Sequence, residues 1–98
     1  MNVLAFVKEG KRWVSDVFQP ARVNIEVAVR FKDEGGGFVG VLRSVDGVEF
    51  TPFESGVTGN LGRNTRLLIF NVTGIVPGGF LRLVSTSEPD ADSGWRED

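Results

Sequence analysis

Between Arg22 and Phe31 the chain reads RVNIEVAVRF. Val23, Ile25, Val27, Val29 and Phe31 alternate with Arg22, Asn24, Glu26, Ala28 and Arg30. Apolar residues at period two turn every second side chain to one face, giving a strand with one buried and one wet face. A helix would need those residues three and four apart, and the density of β-branched side chains opposes it. The rest of the chain has to cover that apolar face.

Further strands are legible on both sides. Asn2 to Lys8 and Lys11 to Phe18 read as a hairpin around Glu9-Gly10, with Phe6 facing Trp13, and Leu4 and Val17 on the same side. Aromatic cross-strand pairs stabilise by roughly 0.2–1 kcal/mol relative to Ala–Ala. The other side carries Val3, Val7, Arg12 and Asp16, so residues 1–18 form either a sandwich edge or an arm laid on a neighbour. Gln19-Pro20 breaks the run, because proline cannot donate to a ladder. Lys32 to Gly37 is a polar turn, whose glycines are followed by neither Gly-Lys-Ser/Thr nor a helix and so do not form a phosphate loop.

Phe38 to Val45 is apolar on both faces, as in a strand inside a sandwich or at an interface. Arg66 to Gly74 places Leu68, Phe70 and Val72 toward the core. Phe80 to Ser87 places Leu81, Leu83 and Ser85 on one face. The long Gly/Asn/Thr-rich loop from Glu54 to Thr65 offers Asn60, Arg63 and Asn64 as binding candidates, since loops on rigid β scaffolds often carry binding.

Gly35 to Phe53, GGGFVGVLRSVDGVEFTPF, joins two strand-like runs at Asp46-Gly47. Asp-Gly between β-prone residues signals a two-residue type I′ hairpin. That register sets Val45 opposite Val48, Ser44 opposite Glu49 and Arg43 opposite Phe50. Arg43 then shares a face with Val41, Val45, Val48 and Phe50, its stem packed and its head toward water or a partner.

RSVDGVEFTPF, Arg43 to Phe53, resembles the hairpin of fibronectin-type-III-like and Ig-like β-sandwich modules. A similar hairpin occurs in small phage virion proteins. The resemblance is close over about 20 residues and looser over about 60, from Arg22 to Phe31 through Gly79 to Thr86. The chain departs from those modules in having no tyrosine; Phe80 stands where a Tyr often leads the late strand, so no tyrosine corner can form there. The resemblance implies an Ig-like antiparallel β-sandwich.

The whole chain is 98 residues with 41% apolar content, enough for one domain with a core. It has no cysteine and no histidine. That removes disulfides, thiolate zinc sites, and the commonest metal ligand and general base. Ser15, Ser44 and Ser55 have no histidine to activate them, and Lys8, Lys11 and Lys32 lie in polar turns. Asp33 and Glu34 are neighbours on a turn rather than set across a cleft. Asp90 and Asp92 lack the spaced ligands of a calcium loop. Asn71-Val72-Thr73 is a glycosylation sequon, but it lies inside a strand. The expectation is a non-enzyme with no cofactor and no metal.

The N-terminus does not read as a signal peptide, and no run is long enough to span a membrane. Net charge is −2, with five acids and one base between Glu88 and Asp98, leaving +2 for residues 1–87. KRWVSDVF and RFKDEGGGF mix basic and aromatic residues, as single-strand binders do. A near-neutral body with an acidic end nevertheless opposes a nucleic-acid binder. Residues 88–98 read as a short flexible acidic tail. Within it Trp95 either folds back on its own domain or, with Arg96, anchors to a partner.

The expected architecture is all-β: an Ig-like antiparallel β-sandwich of about seven strands over residues 1–87, then the tail. Such a chain resembles phage capsid decoration or cement proteins, which sit on the outer shell, often as trimers, and bridge capsid subunits. That resemblance implies a virion protein assembled in the host cytoplasm, a homo-oligomer with the major capsid protein as partner and neither nucleic acid nor membrane. A tail or fibre component, and a fibronectin-III-like module binding carbohydrate or protein, are the alternatives. The candidate interface residues are Phe6, Arg12, Trp13, Arg43, Arg63, Trp95 and Arg96.

Overall fold

The computed structural model describes residues 1–33, 38–53, 59–60 (backbone only) and 66–97. Among these the chain is all-β, with ten strands: β1 (Asn2–Val3), β2 (Phe6–Glu9), β3 (Arg12–Ser15), β4 (Ile25–Arg30), β5 (Phe38–Ser44), β6 (Thr51–Pro52), β7 (Gly59–Asn60), β8 (Leu67–Val72), β9 (Phe80–Ser85) and β10 (Gly94–Glu97). They form two antiparallel sheets. The first has the order β1-β10-β4-β8; the second runs β2-β3-β9-β5-β6, with β7 also pairing with β5.

The sheets pack face to face in a β-sandwich-like arrangement, and one connected core fills the space between them. The first sheet contributes Ile25, Val27, Val29, Phe70 and Val72, and the second contributes Val39, Val41, Leu81 and Leu83. Ile25, Val27 and Val29 are completely buried, each worth roughly 1.5–3 kcal/mol relative to exposure. These are the alternate residues that period two selects. Phe31 continues the row at 1% exposure, whereas Val23 lies outside the strand and is half exposed. Leu68, Phe70 and Val72 also face inward, as do Leu81, Leu83 and Ser85.

The chain's last residues are not a free tail. Gly94–Glu97 pairs with β1 on one side and β4 on the other, so this segment lies inside the first sheet. The indole of Trp95 stacks on Phe18 with ring centroids 5.0 Å apart. Trp95 opposes Val27 in the ladder and so shares the inward face. The acidic composition misled here because Glu88, Asp90 and Asp92 precede the strand, and among the described acids only Glu97 lies within it. Glu97 accepts a hydrogen bond from the Ala21 amide, and Arg96 on the outward side pairs with Glu26 at 2.9 Å.

The N-terminal hairpin differs from its expected form in two ways. Asn2–Val3 belongs to the first sheet, and the chain crosses to the second at Leu4, which is buried and whose amide donates to the Ser93 carbonyl. The turn is Gly10-Lys11, one residue later than expected, because Gly10 supplies the positive φ (65°) at its first position. Phe6 consequently opposes Ser15, and Trp13 opposes Lys8.

The central hairpin also differs. β5 pairs with β6 through Leu42↔Pro52 and Arg43↔Thr51, so residues 45–50 form a wide loop instead of a two-residue turn. Side chains close this loop. The Ser44 hydroxyl accepts from the Gly47 amide at 2.9 Å and donates to Asp46 at 2.8 Å. Asp46 Oδ1 accepts from the amides of Val48 and Glu49. Short polar side chains compete with the ladder for backbone donors in this way. Gly47 still needs its positive φ of 79°, and the Phe80 ring lies 3.2 Å from where a Cβ would stand.

Candidate functional site

Two surfaces stand out. The first is a groove of about 670 Å³ at one end of the sandwich, between loop 45–50 and the turn at Pro77-Gly78. Phe53, Ile75 and Leu81 supply apolar wall, while Arg43, Asp46 and Glu49 supply charge. Arg43 belongs to the inward-facing parity of β5, but it lies beyond the end of the core. Its guanidinium carbon sits 5.4 Å from the Phe53 ring centroid, a cation–π contact. The group placed here is the guanidinium head, although Arg43 as a whole is exposed. Its expected apolar neighbours Val45 and Val48 are instead 98% and 80% exposed on the loop. Asp46 faces this groove with its pKa lowered to about 2. The main cause is the Val48 amide, followed by the Ser44 hydroxyl and the Glu49 amide.

The second surface is the outer face of the second sheet. Registers align Val7, Val14, Val84 and Gly40 in one row across β2, β3, β9 and β5. Val14 is buried, yet it does not belong to the connected core. Gly40 has no side chain, and a hollow of about 180 Å³ opens there, lined by Arg12, Phe38, Val84 and Thr86. Phe38 borders it, and both Phe38 and Val7, which stands at the far end of the row, are more than half exposed. Farther along the same face, Arg82 lies 5.7 Å from the Phe50 ring centroid.

The sequence-derived candidates do not converge. Arg12 reaches the hollow on the outer face. Trp13, next to it in the strand, points the other way and has the Lys8 ammonium 6.0 Å from its ring centroid. Phe6 and Trp95 pack against the core. Arg96 lies on the outer face of the first sheet, and Arg43 lines the end groove. Arg63 and Asn64 lie outside the described residues, as does the side chain of Asn60.

The row through Val14 and Val84 was missed in the sequence, although a signal for it existed. Phe38 to Val45 is apolar on both faces, which a half-wet strand does not need. What the linear pattern could not show is that Val7, Val14, Val84 and Gly40 stand side by side. Among the described residues no three His, Cys, Asp or Glu side chains cluster closely enough to share an ion. No protein-family model, curated protein or solved structure matches this chain.

Proposed function

We propose that the chain is a non-enzymatic structural protein, a sandwich of Ig-like type that works by protein–protein contact as a capsid decoration protein on a virion shell. The observation that carries the contact reading is the Val7–Val14–Val84–Gly40 row. The wet face of an antiparallel sheet ordinarily alternates polar outward residues. Here four strands in succession contribute no polar side chain to the row, and the hollow at its end accepts a partner's side chain. Arg12 at its edge is of the type enriched in binding hot spots. The virion context rests on the hairpin resemblance. A shell protein that binds only the assembled lattice stabilises it by mass action, and many symmetry-related copies multiply modest contacts.

Quantitative mass spectrometry of gradient-purified particles from the encoding source tests this. Hundreds of copies per particle, reduced by Val84→Asp while the purified variant keeps its β-sheet circular dichroism, is the expected result. A few to a few dozen copies would transfer the protein to a tail or fibre. Absence from particles would overturn the virion role and favour a fibronectin-III-like binding module. The observation behind that second reading is the end groove, where apolar wall from Phe53, Ile75 and Leu81 meets the charges of Arg43, Asp46 and Glu49.

A further inference from the structure

Four of the strands lie at the ends of the two sheet paths, and three of them are guarded against pairing with another chain. β1 and β6 are two residues long, and β6 contains Pro52; β2 carries Lys8 and Glu9. Short length, proline and charge are the usual devices that stop an edge from adding a strand. β8 has none of them. It is six residues long, reads LLIFNV, and carries no charge from Leu67 through Ile75. Among the described residues no strand lies on its outer side.

The register shows which backbone groups this edge offers. The Phe31 amide donates to the Arg66 carbonyl at 2.7 Å, and the β4–β8 ladder places Phe31 opposite Arg66. Antiparallel pairs alternate between those that exchange hydrogen bonds and those that do not. Leu68, Phe70 and Val72 therefore bond toward β4, and the N–H and C=O groups of Leu67, Ile69 and Asn71 point away from the sheet.

We propose that β8 is the pairing edge for a second copy of this chain, the two strands running antiparallel about a two-fold axis at Ile69. Only outward-pointing residues can exchange hydrogen bonds across the new junction, and inward side chains must meet inward side chains. Pairing Ile69 with Ile69 meets both conditions. Leu67 of one copy then opposes Asn71 of the other, and Leu68 opposes Phe70. Arg66 opposes Val72, so no like charges meet. A two-fold contact of this kind is isologous and closes on itself. The outer row Val3–Gly94–Ala28–Ile69 would continue through the axis into its own copy. Ile69, 55% exposed in the single chain, would be covered. The inference goes beyond the shell-contact reading and does not depend on it, because self-pairing needs no other protein.

Sedimentation velocity over a concentration series, with the full chain, is the test. The expected result is a reversible shift from the 10.7 kDa chain to twice that mass. Ile69→Pro removes an outward N–H that β4 does not use and should leave a folded monomer; Ile69→Lys, which brings two ammonium groups together at the axis, should do the same. The register has its own readout because the chain lacks cysteine. Ile69→Cys should form a disulfide-linked dimer under mild oxidation. Leu67→Cys should not, because the two introduced thiols would stand four strand positions apart, about 13 Å. A chain that stays monomeric throughout the series overturns the proposal. So does a trimer, a dimer indifferent to both Ile69 variants, or faster cross-linking through position 67.

Discussion

Gly94 and Gly40 occupy similar places, each within an apolar row on the outer face of one sheet, and they are glycines for opposite reasons. A Cβ on Gly94 would come within 2.3 Å of the Asn2 carbonyl oxygen. That atom is backbone, fixed by the pairing of β1 with β10, so only glycine lets the chain's first strand lie against its last. A Cβ on Gly40 would meet only Cγ1 of Val84, at 3.3 Å, and a side-chain methyl can give way. One glycine closes the fold; the other leaves a hollow that the fold does not need. A small residue on an outer face is thus a sign of a binding surface only when its neighbours are movable side chains.

The strongest way to break this comparison is to remove the strand that holds Gly94. Deleting residues 88–98 exposes both β1 and β4 along their length and takes Trp95 from the core. Loss of the cooperative unfolding transition is expected, read by circular dichroism against urea. A truncated chain that still unfolds cooperatively would show that the first sheet closes without β10.

Substituting the glycines compares the two faces directly. Gly94→Val should destabilise by about 3 kcal/mol through overpacking against backbone, whereas Gly40→Ala should cost less than about 1 kcal/mol because Val84 can shift. Equal shifts in the urea midpoint would remove the distinction. Neighbours within β10 give a third contrast. Trp95→Ala should cost about 3 kcal/mol through the lost packing against Phe18 and the core. Arg96→Ala, which breaks a pair whose Arg side chain is 61% exposed, should cost at most about 0.5 kcal/mol.

The smallest effect belongs to Asp46, which lies open to solvent. Its pKa is about 2 in the folded chain against an ordinary 3.8, so the carboxylate favours the folded state. That contribution is complete above the unfolded value, near pH 4, and fades as pH falls toward 2. The urea midpoint of Asp46→Ala should therefore trail the parent chain at neutral pH and approach it between pH 4 and pH 2. A gap that stays constant over that range would mean the loop is held by something other than the charge on Asp46.

The strands that face the core were readable because burial on one side of a sheet imposes period two on the sequence. Ile25, Val27, Val29, Phe70, Val72, Leu81 and Leu83 were all legible for that reason. The turns were less so. Asp46-Gly47 has the composition of a tight hairpin, yet Ser44 and Asp46 take the nearby amides and widen the loop. Glu9-Gly10 and Gly10-Lys11 differ by one residue, and composition alone does not separate them. Of the candidate interface residues, Arg12 and Arg43 lie at open surfaces, while Phe6 and Trp95 pack on the core, since an aromatic residue carries the same letter in either role.

The sequence by itself determined that this is a β protein with one apolar core, and it determined which faces of β4 and β8 turn inward. Both follow from alternation within a segment, a property local to the chain. The tertiary structure alone decided that the acidic end is a strand between the first and fourth strands. It also brought Val7, Val14, Val84 and Gly40 into one row and, among the described residues, left β8 at the end of its sheet. Each of those depends on which strands become neighbours, and hydrogen bonding between segments as distant in sequence as Asn2 and Trp95 leaves no periodic mark in either segment.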